Sequence, residues 1–72
     1  MREIATALGF TYNRRGCSCS GSPYIYMAYR NSTHYELTIY ESRNFWKLTA
    51  NNTQVADGDS KDLEKKIKQI WD

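Results

Sequence analysis

The sequence predicts an α+β domain: a three- or four-stranded antiparallel meander with a short N-terminal helix and an amphipathic C-terminal helix packed on one face. Three observations predict it. Residues 34–41 and 45–50 alternate apolar and polar side chains, the two-residue period of a half-buried strand. Leu63, Ile67, Ile70 and Trp71 fall at i, i+4, i+7 and i+8, which makes one apolar stripe on a helix. And 72 residues make one domain with one thin core.

The elements follow in chain order. Residues 2–8 read as a short helix in which Ile4 and Leu8 share a face. Gly9 fits the left-handed residue that closes such a helix, and Phe10 the hydrophobic contact after it. Residues 10–14 offer an extra strand through Phe10 and Tyr12. Residues 14–23 carry two glycines, three serines and a proline, and read as a loop. Residues 24–30 are rich in strand formers, and Asn31-Ser32 reads as a turn. Along 34–41, Tyr35, Leu37 and Ile39 point one way while His34, Glu36, Thr38 and Tyr40 point the other. After a turn at Ser42-Arg43-Asn44, residues 45–50 set Trp46, Leu48 and Ala50 opposite Phe45, Lys47 and Thr49. Residues 51–59 read as a polar connection that Val55 is expected to anchor. Ser60 is the expected N-cap of a helix over 61–71, with Asp62 and Glu64 favouring its dipole.

Both helices need cover for their apolar faces. The expected arrangement sets them on Ile25, Met27, Leu37, Ile39, Trp46 and Leu48. The opposite face is then open and carries Tyr24, Tyr26, Tyr40 and Phe45, with Arg30, Arg43 and Lys47 at its edges.

Composition separates function classes. Aromatics at 14% and hydrophobic residues at 40% mark a folded chain. A core this small leaves little room for an enclosed catalytic centre. No phosphate-binding glycine loop, metalloprotease helix motif or nucleophile elbow is present in the sequence. The expectation is a non-catalytic protein without cofactor. The N-terminus lacks a signal-peptide pattern and no apolar run has spanning length, so a cytoplasmic location and no membrane partner are expected. Net charge is only +2. Residues 1–56 carry six basic and three acidic side chains, whereas 57–72 carry four and five.

Tyrosine and arginine are enriched where proteins meet. An aromatic open face therefore points first to a protein partner or self-association. The alternative is a nucleic-acid-binding module in which the same face, with Arg14, Arg15, Arg30, Arg43 and Lys47, stacks unpaired bases and holds phosphates. A third reading takes Cys17, Cys19 and His34 as metal ligands. Three ligands fall short of the four that structural zinc requires. A redox pair is another reading, but the familiar motif has two intervening residues. The plain expectation is two reduced cysteines in a tight loop, at least one tucked under the sheet as a small apolar residue. His34, beside Glu36 on the solvent side, is expected to be an exposed histidine.

The order helix, three strands, helix resembles that of the double-stranded RNA-binding domain. Pro23-Tyr24 opens a strand, His34 follows the next turn, and Gly58-Asp59-Ser60-Lys61 leads into the last helix. The resemblance implies a basic cluster at the start of that helix that grips phosphates. Here Asp62 and Glu64 interrupt the cluster, the first helix is shorter, and the Cys-Ser-Cys loop has no counterpart. The likeness, over residues 23–71, is one of fold.

Overall fold

The structure, a computed structural model, describes residues 1–71. Its order is α1 (Arg2–Ala7), β1 (Thr11–Arg15), β2 (Tyr24–Arg30), β3 (Thr33–Tyr40), β4 (Phe45–Ala50), β5 (Thr53–Gly58) and α2 (Leu63–Trp71). Short 3-10 turns occupy Ser18–Ser20 and Glu41–Arg43. The five strands form one antiparallel sheet in sequence order. The expected α+β meander stands, and residues 10–14 do supply a strand. The strand at 53–58 is new. The double-stranded RNA-binding analogy therefore stops at its central part, because β1 and β5 extend the sheet on either side.

Turn chemistry explains the fifth strand. Asn51 and Asn52 have φ of 50° and 70°, the left-handed pair that a tight two-residue hairpin needs. The connection read as polar and irregular is the far arm of this hairpin. Val55 lies at a bulge, where the pairing passes from Thr49↔Gln54 to Leu48↔Ala56. It is 47% exposed and does not anchor the segment. The β2–β3 turn repeats the geometry at Asn31 and Ser32, with φ of 52° and 64°. Serine tolerates this region less well than glycine. Ser32→Gly is therefore expected to stabilise the domain by about 0.5–1 kcal/mol, read as a raised urea midpoint at unchanged slope.

Helix α1 ends as its sequence suggests. Gly9 has φ of 104°, its N–H donates to the Thr6 carbonyl at 3.1 Å, and the Phe10 N–H donates to Ala5 at 3.0 Å. This crossed pair satisfies two carbonyls at the helix end. Helix α2 begins two residues later than expected. The Asp59 carboxylate, rather than Ser60, accepts the Lys61 N–H at 3.0 Å and turns the chain into the helix.

The core lies between the helices and one sheet face. Ala5, Phe10, Tyr26, Leu37, Ile39, Trp46, Leu48, Leu63 and Ile67 are buried together. The assignments for β3 and β4 hold: Leu37, Ile39, Trp46 and Leu48 face the helices. Strand β2 is turned over. Tyr24 and Tyr26 face the helices, while Ile25 and Met27 lie on the open side. Both faces of Tyr-Ile-Tyr-Met-Ala are apolar, so its alternation does not choose between them. The tyrosines go inward because their polar ends find partners at the rim of the core. The Tyr26 hydroxyl accepts from Arg2 Nε at 3.0 Å, and Tyr24 is stacked by arginines.

The sheet edges carry charge. Arg14 and Arg15 project from β1, and Lys66 Nζ donates to the Asp57 carbonyl of β5 at 2.7 Å. Charges placed this way discourage edge-to-edge pairing of sheets. No helix among the described residues is long and apolar enough to cross a membrane.

Candidate functional site

The residues expected to form one aromatic face divide between two. Tyr40 and Phe45 are opposite neighbours on the open face, with ring centroids 5.8 Å apart. Arg43 and Lys47 reach the Tyr40 ring at 5.4 and 6.0 Å. Tyr24 and Tyr26 lie on the helix side, and Tyr26 is only 3% exposed. They cannot share a surface with Phe45 across the sheet. Arg30 sits at the opposite end, stacked on Trp71 at 4.7 Å.

A different cluster gathers at the end of the sheet where β1 finishes and β2 begins. The pairing Arg15↔Tyr24 brings the Arg15 guanidinium over the Tyr24 ring at 4.1 Å. Helix α1 starts above the same ring and sets Arg2 over it at 3.8 Å. Tyr12 closes the group, 6.3 Å from Tyr24 and 5.5 Å from Tyr26, with Arg2 at 5.8 Å. Arg14 pairs with Ile25 and so projects onto the open face of the same corner. Arg43 is near Gly21, across the loop that joins β1 to β2: a Cβ on Gly21 would lie 3.8 Å from its Nη2. Arg2 and Arg15 thus gather over Tyr12 and Tyr24 on the helix side of this end of the sheet, while Arg43 reaches Tyr40 and Arg14 projects on the open side.

Among the described residues no acid lies within ion-pair distance of the four guanidiniums; the ion pair present there is Lys68–Glu64 on α2, at 2.7 Å. Glu41 is the acid whose field reaches Arg2. Arg2 is held above its ordinary pKa, first by its hydrogen bond to Tyr26. Its terminal nitrogens have no acceptor among the described residues. Arg15 spends Nε and one terminal nitrogen on the Ser22 carbonyl, at 3.1 and 2.9 Å. Apart from these four arginines and Glu41, the chain carries six basic and seven acidic residues. The positive charge is therefore concentrated at this corner.

The Cys-Ser-Cys loop lies at the same corner. Cys17 and Cys19 are joined in a disulfide rather than reduced, and both are exposed rather than tucked under the sheet. His34 is at the other end of the sheet, where it stacks on Tyr29 at 4.9 Å. It is half-buried, not exposed, and its Nε2 has no hydrogen-bond partner among the described residues. The three groups read as metal ligands are thus kept apart. Among the described residues no cluster of three His, Cys, Asp or Glu side chains is placed to hold a metal.

An open groove of about 400 Å³ runs between β5 and α2, lined by Val55, Ala56, Asp57, Lys66, Gln69 and Ile70. Its walls are mixed, and no histidine or cysteine reaches it.

Sequence reasoning found Arg14, Arg15 and Arg43 but missed Arg2 and Tyr12 as members of the corner. Arg2 meets Tyr26 across 24 residues, a contact that no local pattern encodes. The partnership of Tyr12 follows from the β1–β2 register, which a bulge between Tyr12 and Arg14 sets. No protein-family model, curated protein or solved structure matches this chain.

Proposed function

We propose that this chain is a non-catalytic binding module that takes single-stranded nucleic acid on its arginine–tyrosine corner. The observation that carries the reading is four arginines at one end of the sheet, free of carboxylate partners among the described residues, with Arg2 and Arg15 over Tyr24 on one side and Arg14 and Arg43, the latter by Tyr40, on the other. Guanidiniums held over a tyrosine ring, as Arg2 and Arg15 are at 3.8 and 4.1 Å from the Tyr24 centroid, are pre-ordered, so less freedom is lost when they meet a ligand. They offer donors to phosphate oxygens and flat surfaces to unpaired bases. The division of Tyr24 and Tyr26 from Tyr40 and Phe45 favours this over a protein contact on the open face. That face keeps Met27, Tyr40 and Phe45 half-buried, beside a buried Ile25.

The test is a fluorescence titration of a labelled thymidine oligonucleotide against salt. Log affinity is expected to fall linearly with log salt, by about 0.7 for each phosphate neutralised on a single strand. Arg14→Ala and Arg43→Ala are chosen because neither side chain holds the loop by a hydrogen bond. Each is expected to weaken binding and to reduce the slope by about 0.7. Absence of binding at low salt, or a slope that neither substitution changes, would end the proposal. Concentration-dependent mass would then be the measurement for a protein contact.

A further inference from the structure

We propose that the Cys17–Cys19 disulfide is a thiol–disulfide exchange centre, a surface redox couple that trades electrons with negatively charged thiols. It shares Arg15 and Arg43 with the nucleic-acid reading, but the bond, its exposure and the hydrogen bond at Cys17 are separate observations.

The bond is poorly placed to be a staple. A crosslink stabilises a fold mainly by restricting the unfolded chain, and the effect shrinks with the loop it closes. This one spans a single intervening residue. The loop is already shaped without it. The Gly16 N–H donates to the Pro23 carbonyl at 2.7 Å, Ser22 N–H to Cys17 at 3.1 Å and Gly21 N–H to Ser18 at 3.2 Å. Arg15 fastens the Ser22 carbonyl from outside. At the base, Gly16 lies so close to Pro23 that a Cβ would stand 2.6 Å from the proline ring. Oxidised or reduced, the loop keeps these constraints.

The bond is well placed to react. Both cysteines are exposed. The Cys19 N–H points at Cys17 Sγ, 3.3 Å away, and stabilises negative charge there. Arg15 precedes the pair by two residues, and Arg43 lies across Gly21. A thiolate that receives a hydrogen bond is the better leaving group. The direction of attack follows. An external thiolate attacks Cys19 Sγ, a mixed disulfide forms on Cys19, and Cys17 leaves as the thiolate held by the Cys19 N–H. A second external thiolate attacks the outer sulfur of the mixed disulfide. It forms the external disulfide and releases Cys19. Two external thiols are oxidised, and their two electrons and two protons reduce the pair to the dithiol. The reverse sequence reoxidises it. The arginines favour an anionic thiol, of which glutathione is the probe.

The experiment equilibrates the folded chain in mixtures of reduced and oxidised glutathione, alkylates free thiols and counts them by mass. Far-UV circular dichroism is recorded on the same samples. The expected result is reversible conversion between disulfide and dithiol with an unchanged spectrum. In the rate of reduction, Arg43→Ala is expected to slow glutathione by about threefold or more and to slow 2-mercaptoethanol clearly less, since its attacking thiolate carries less negative charge. A pair that stays reduced in oxidised glutathione would overturn the proposal. So would a bond reduced only as the fold is lost, or an equal effect of Arg43→Ala on both thiols.

Discussion

Replacing Trp46 with alanine is expected to remove about 3–5 kcal/mol of stability. Trp46 is fully buried in β4, between its cross-strand partners Ile39 and Gly58. Gly58 lies against the ring: a Cβ there would stand at ordinary contact distance from the indole, 3.5 Å. The indole Nε1–H donates to the Asp59 carbonyl at 2.6 Å. Asp59 in turn caps the chain entering α2. One side chain therefore fills the centre of the core and ties β4 to the corner from which the last helix starts. Alanine leaves a cavity and removes one of two donors to the Asp59 carbonyl, which keeps the Asp62 N–H at 3.2 Å. A single core of this size supplies about 3–5 kcal/mol in all, so the variant is expected to be largely unfolded at 25 °C by circular dichroism. Trp46→Phe keeps most of the packing and should lie between the two in urea. A loss under about 1 kcal/mol for alanine would contradict the placement of this ring.

The second large effect is expected at Ile67, fully buried on α2 in the same cluster. Ile67→Asp loses the apolar contacts and puts a carboxyl where the surrounding side chains are hydrocarbon. The two costs together come to about 5 kcal/mol or more. Their pH dependence separates them. Burial disfavours the charged form, so the folded pKa of the new carboxyl is raised above its unfolded value of about 3.9. A raised group is least harmful below its unfolded pKa and costs more as pH rises through the folded one. The difference from the parent chain should thus be smaller near pH 4 than at pH 7. Ile67→Ala carries only the packing loss, and its difference should not follow pH. Urea midpoints of the three chains at both pH values decide this.

Residues whose partners are close in sequence were legible. The alternation of β3 and β4 named Leu37, Ile39, Trp46 and Leu48 correctly, because each strand has a polar side to contrast with. The α2 stripe named Leu63 and Ile67 for the same reason. Strand β2 defeated the method because Ile25 and Met27 are as apolar as Tyr24 and Tyr26. What decides its face is the Arg2 and Arg15 contacts, which lie outside the strand. The β4–β5 hairpin was announced by Asn51-Asn52, a turn signature that a reading of the stretch as merely polar passes over. The functional corner was half legible. Its arginines on β1 and in the β3–β4 turn are visible as basic residues, but their union with Arg2 depends on where α1 docks.

The sheet's strand order has a consequence for how the molecule assembles. Every strand pairs with its neighbour in sequence, so each pairing closes only a short stretch of chain. Loop-closure cost grows with length, and local contacts of this kind speed the search for the native state. The long closures are those the helices make, Arg2 with Tyr26, Trp71 with Arg30 and, longest, α1 with α2, which joins the two ends of the described chain. The sheet can therefore zip hairpin by hairpin, but its apolar face stays uncovered until residues 63–71 have been synthesised and have docked. Until then Trp46 and Leu48 face water, and that interval is when the chain is most open to unwanted association.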